Sequence, residues 1–142
     1  MINFQLINMA KRKFVYPSPD VVIYINKVVN LMSTVKADSH KILMDEGFVK
    51  SKIEEAKKAG GDVYDKCALL LSGLTVVHGF ASGNKRTAFI VSVYFLKKNG
   101  GKVRFRNFDD VERILKNIRL YNVKEISKWL RTGEIDETKF KR

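Results

Sequence analysis

Residues 78–98 read HGFASGNKRTAFIVSVYFLKK, and the organisation of the chain can be worked out from this stretch. Its second half, Ala88–Leu96, is apolar apart from Ser92. That is far shorter than the roughly 20 residues a membrane span requires. It predicts instead a helix running from Ser82-Gly83 to Lys98 that is apolar on nearly every side. Such a helix belongs at the centre of a domain rather than on its surface.

Helical signals continue on both sides. Upstream, Asp62 is placed to cap a helix whose face reads Val63, Cys67, Leu70, Leu74 and Val77, ending near His78-Gly79. Gly60-Gly61 closes an earlier helix that starts after Asp45-Glu46 and carries Val49, Ile53 and Ala56 on one face. Ser18-Pro19-Asp20 starts a helix over 19–33, with Val22, Ile25, Val29 and Met32 as its stripe. Downstream, Asp109 with Glu112 and Asn122 with Glu125 are cap signatures. The apolar sides that follow are Val111/Ile114/Leu115/Ile118 and Val123/Ile126/Trp129/Leu130. Alternation at Ile2, Phe4, Leu6, Phe14 and Tyr16 is compatible with a short N-terminal strand pair, and Val103/Phe105 with a strand over Lys102–Arg106. The fold class is therefore mainly α, in one domain over residues 1–142.

Composition narrows the function classes. The chain has 142 residues, of which 45% are hydrophobic, an ordinary share for a globular protein. One cysteine, Cys67, excludes an internal disulfide framework, and with only two histidines a Cys/His zinc site is excluded as well. Cys67 itself reads as a buried wall residue, because the sequence offers it no partner base. No membrane segment is predicted, and MINFQLINMAKRKF lacks the basic-then-apolar order of a signal peptide, so the expected location is cytoplasmic. Lys and Arg number 27 against 15 Asp and Glu, giving +12, with the excess spread along the chain. That field suits a polyanionic partner such as nucleic acid, a nucleotide or an acidic protein. It equally suits a merely well-solvated surface.

The chemistry concentrates in His78–Thr87, the junction between two helices. A helix N-terminus offers unbonded amides and partial positive charge. Gly83 lets the backbone approach a ligand closely. Lys85 and Arg86 put two cations in the first turn, where the helix dipole disfavours them, and this points to a bound anion. His78, just before that site, is a residue type that can accept a proton at neutral pH. Phe80 reads as a core anchor for the loop. The bland alternative has Ser82 capping the helix, Lys85 and Arg86 in solvent, and His78 as an ordinary helix-end residue. A Walker loop is excluded: only three residues separate Gly79 from Gly83, Asn84 precedes Lys85, and the preceding element reads as a helix.

The segment HGFASGNKRTA resembles the signature of the Fic/Doc family, H-x-F-x-(D/E)-(G/A)-N-(G/K)-R, and its Asn-Lys-Arg-Thr-Ala ending resembles the death-on-curing (Doc) branch. DEGFVKSKIEEA, from Asp45, and the closing FDDVERIL and EISKWLRTG are also similar to that branch, so the likeness spans about residues 38–133. The resemblance implies a Fic-type helical bundle. It also implies transfer of a phosphoryl or nucleotidyl (AMP) group from ATP to a Ser, Thr or Tyr hydroxyl of a target protein. In the Doc branch the target is a translation factor and the enzyme is a toxin held by an antitoxin. By the same resemblance, His78 would be the general base. Gly83, Asn84 and Lys85 would line the phosphate nest, Arg86 would hold a phosphate and offset transition-state charge, and Phe80 would anchor the loop.

Two positions depart from the family pattern. Ser82 stands where the family carries an acidic Mg²⁺ ligand, and a hydroxyl is a weaker, neutral donor. Mg²⁺ would then arrive on the nucleotide, or the site would bind without turnover; Asp45 is the carboxylate that could substitute. Phe89 stands where adenylyltransferases carry a second Arg, which again resembles the Doc branch. No Ser/Thr-x-x-x-Glu-Gly/Asn inhibitory pattern is present, so restraint would come from another chain. Two alternatives stay open: a catalytically impaired Fic-fold nucleotide- or protein-binding module, and a basic nucleic-acid-binding domain.

Overall fold

The computed structural model describes residues 13–32, 47–105 and 107–140. Six α-helices make up nearly all of their regular structure: α1 (Pro19–Leu31), α2 (Gly47–Lys58), α3 (Val63–Val76), α4 (Asn84–Lys98), α5 (Phe108–Lys116) and α6 (Val123–Thr132). Single 3₁₀ turns follow α5 and α6, at Ile118–Leu120 and Glu137–Lys139.

Most helix starts follow from local side-chain chemistry. The Ser18 hydroxyl accepts from the Val21 amide at 3.3 Å, with Pro19 in the first turn. Asp62 and Asp65 form a reciprocal capping box at α3, and Asn122 and Glu125 form another at α6. At α5 the cap lies two residues before the expected Asp109: the Asn107 Oδ1 accepts from the Asp110 amide at 2.9 Å. Asp109 and Asp110 instead occupy the first turn, where the dipole favours acids.

The interior is built around α3, which packs against α2, α4 and α6, while α1 lies across α4 and α2. The helix α4 is central but not sheathed on all sides. It buries Thr87, Ala88, Val91, Ser92, Phe95 and Leu96, while Ile90 and Tyr94 face outward. On the last two helices and the turn between them Val111, Ile114, Leu115, Ile118, Ile126, Trp129 and Leu130 are buried as expected, but Val123 stands at the surface. On α1, Met32 is also exposed, and the fully buried polar residue is Asn26.

The expected strands are not found among the described residues. The first half of the N-terminal pair, and Asp45, lie outside them. Phe14 and Tyr16 run extended without a neighbouring strand. Asn99 takes that role: its side-chain Oδ1 accepts from the Val15 amide at 2.7 Å and its Nδ2 donates to the Val15 carbonyl at 2.9 Å. Lys102–Phe105 is likewise irregular. There Phe105 inserts between Phe89 and Trp129, with ring centroids 5.3 and 4.8 Å away, so its alternation reflects packing against helices. No helix among the described residues is long and apolar enough to cross a membrane.

Candidate active site

The loop from Val77 to Gly83 carries the chain from the end of α3 to the start of α4, and several independent constraints set its shape. Arg119 donates to the Val76 carbonyl at 3.0 Å, holding the end of α3. His78 follows with φ of 51°, the one described non-glycine residue at positive φ. The left-handed region costs an L-residue about 1–2 kcal/mol, so the surrounding structure must impose it. Gly79 comes next, and any Cβ there would overlap the ring of Phe48 on α2. Phe80 is buried and meets Phe48 edge-on at 5.2 Å. The Asn84 side chain then brackets Phe80, accepting from its amide at 3.1 Å and donating to its carbonyl at 2.9 Å.

The start of α4 is fixed from the other side by α1. Gly83 is the N-cap with φ of 77° and no side-chain cap hydrogen bond, so Ser82 does not cap this helix. Asn26 Nδ2 donates to the Ser82 carbonyl at 2.9 Å and to Thr87 Oγ1 at 3.1 Å. Asn30 Nδ2 also reaches the Ser82 carbonyl, at 3.3 Å. A Cβ on Gly83 would come within 2.9 Å of Asn30 Oδ1 and 3.3 Å of Val29 Cγ1. Glycine is therefore required there both by conformation and by the closeness of α1.

These constraints leave the start of α4 open to a cavity of about 770 Å³, within the usual size range of small-molecule sites. His78, Gly83, Asn84, Lys85 and Arg86 all line it. Phe80 lies beneath the loop as part of the core. Ser82 is not part of the lining. The remaining wall was not foreseen from the sequence. Val29 and Met32 come from α1, Phe89 and Ile90 from α4, and Phe108, Val111, Glu112, Leu115 and Lys116 from α5. The cavity thus has one cationic end and a long apolar flank. Among the described residues its single acidic lining residue, Glu112, pairs with Lys116 at 3.3 Å. Lys85, Arg86 and Lys116 consequently outweigh one carboxylate, and a ligand carrying several negative charges is favoured.

Asp45, the carboxylate expected to substitute for Ser82 as a Mg²⁺ ligand, lies outside the described residues. No group of three or more His, Cys, Asp or Glu residues that could hold a metal occurs among the described residues. Cys67 is also outside the chemistry: it is fully buried, it donates to the Ser92 carbonyl at 3.5 Å, and burial pushes its thiol up to about 12.

A sequence model of the Fic/DOC family matches residues 7–96, more than half of the chain. The chain belongs to the Fic/DOC family. No curated protein and no solved structure matches it. The matched region contains the loop and all but the last two residues of α4 and ends before α5, the helix that supplies the far wall of the cavity.

Proposed function

We propose that this chain is a Doc-like transferase that moves a phosphoryl or nucleotidyl group from ATP to a hydroxyl of a target protein. The observation that carries the reading is the convergence of His78, Gly83, Lys85 and Arg86 on one cavity at a helix N-terminus. In this reading the polyphosphate lies against the first turn of α4, with Lys85 and Arg86 offsetting its charge. The nucleoside rests on the apolar flank from α4 and α5. The target hydroxyl oxygen attacks phosphorus, the bond from phosphorus to the leaving oxygen breaks, and His78 takes the hydroxyl proton. The target would be a cytoplasmic protein such as a translation factor, and an antitoxin would supply the restraint.

ATP labelled at the α or the γ phosphate, mixed with candidate targets in buffer containing Mg²⁺, tests this reading. Label retained on protein from the γ position identifies phosphoryl transfer; label from the α position identifies AMP transfer. His78→Ala is expected to lower the rate by about 100- to 10,000-fold.

A second reading is favoured by Ser82 at the position of the family's acidic residue. It makes the chain a Fic-fold module that binds a nucleotide or a protein without turnover. Nucleotide binding by calorimetry, with no label transferred to any protein, would identify it.

A further inference from the structure

We infer that Asn26, on α1, is a positioning residue for the start of α4. The inference rests on the proposed function insofar as that start is the phosphate cradle. Asn26 is fully buried although polar, and it lies more than fifty residues from the loop in sequence. A buried amide survives in an apolar stripe only when its hydrogen bonds are met. Here they are met by the functional loop. One Nδ2 group donates to the carbonyl immediately before Gly83 and to the hydroxyl of Thr87, the residue that closes the first turn by donating its amide to the Gly83 carbonyl at 2.9 Å. Asn26 therefore bridges the two ends of the segment 82–87. Its own Oδ1 accepts from Asn30 at 3.2 Å, which orients the amide.

The bridge acts on backbone direction. The Ser82 carbonyl is turned toward α1, and this fixes the peptide plane leading into Gly83 at its left-handed φ. The amides of Asn84, Lys85 and Arg86 follow from that plane. Without Asn26 only the longer Asn30 bond, at 3.3 Å, holds the Ser82 carbonyl toward α1, and the tie to Thr87 is lost, so the first turn of α4 is less firmly set.

Asn99 provides the control. It too is buried, and it sits at the opposite end of the same helix, donating to the Phe95 carbonyl and clasping Val15. Its role is structural and remote from the cavity. The experiment compares Asn26→Leu with Asn99→Leu by thermal melting, by hydrogen exchange of the peptide covering 79–88 in the ligand-free protein, and by calorimetric binding of a non-hydrolysable ATP analogue. Thr87→Ser, which keeps the hydroxyl, is the conservative variant.

Both leucine variants are expected to melt lower. Only Asn26→Leu is expected to accelerate exchange in 79–88, by tenfold or more, and to weaken the analogue by tenfold or more, while Thr87→Ser stays within about twofold of wild type. Equal exchange in the two leucine variants overturns the inference, as does acceleration in both. If Asn26→Leu fails to fold, Thr87→Val removes one of the two bonds. It is then expected to accelerate 79–88 exchange severalfold, and unchanged exchange overturns the inference. Wild-type protein that does not bind the analogue sinks the transferase reading, while the exchange comparison still decides the role of Asn26.

Discussion

His78 is held in a conformation that a side chain resists, and the residue is exposed and lines the cavity rather than the core. Strain of this kind persists where the surroundings over-determine it, here through Arg119 on one side and Gly79 against Phe48 on the other. It gives a signature that ordinary mutagenesis would miss. Alanine normally outranks glycine in stability, but at a left-handed position the order inverts. His78→Gly is expected to be more stable than His78→Ala by about 1 kcal/mol in urea denaturation. An Ala variant as stable as the Gly variant would mean that the position is relaxed. At this scale the sequence was informative for the motif and silent on its supports. His78, Gly83, Lys85 and Arg86 fall within one nine-residue stretch, and its charge pattern is anomalous for a helix start. Asn26 was not legible because a polar residue between Val22 and Val29 reads as an interruption of the stripe rather than as a fully buried member of it.

At the scale of elements, the end of α2 is closed by a side chain from its neighbour. Lys66 on α3 is buried, and its ammonium donates to the carbonyls of Ala56, Lys57 and Ala59 at 3.1, 3.3 and 2.6 Å. These are C-terminal carbonyls that the helix cannot satisfy itself. Lys66→Met keeps the apolar stem and removes the donors, and is expected to cost about 1–3 kcal/mol in denaturant unfolding. A loss below about 0.5 kcal/mol would show that water replaces the ammonium easily. Caps at Ser18, Asp62 and Asn122 were legible because each acts within three residues of itself. The Val103/Phe105 alternation misled because one-sided packing against Phe89 and Trp129 imposes the same period as a strand. The outward Ile90 was equally hidden, since its surroundings are set by a cavity that forms only when α5 docks.

At the scale of the molecule, acidic groups tie the later helices together. Burial alone would raise the Asp65 carboxyl, but the Ser127 hydroxyl at 2.6 Å, the Asp62 amide and Arg131 together hold it below its ordinary value. Glu125 is held low chiefly by Lys139 at 2.8 Å, and Asp136 by Thr138. A carboxyl whose folded value is depressed contributes stability above its unfolded value of about 4, and that contribution disappears as pH falls through the folded value. The melting temperature is therefore expected to be level above pH 5 and to drop steadily below about pH 4. Lys139→Met should make that acid slope shallower; an unchanged slope would remove Glu125 from the account. The overall net charge of +12 was plain from composition, but the weight of Asp65 and Glu125 was not, because Arg131 and Lys139 lie on other elements far along the chain.

The cavity is assembled from parts with separate obligations. Its His78 end is held by α1 through Asn26, by α2 through Phe48 against Phe80, and at the end of α3 by Arg119. Its opposite side is α5, beyond the family match, where Phe108 stands almost wholly in solvent at 80% exposure and Glu112 and Lys116 bind mainly each other. Side chains on that face can be exchanged without disturbing the histidine or the cradle. Selection could thus retune what the cavity admits, turn by turn along a single helix, while the loop that faces it stays where it is.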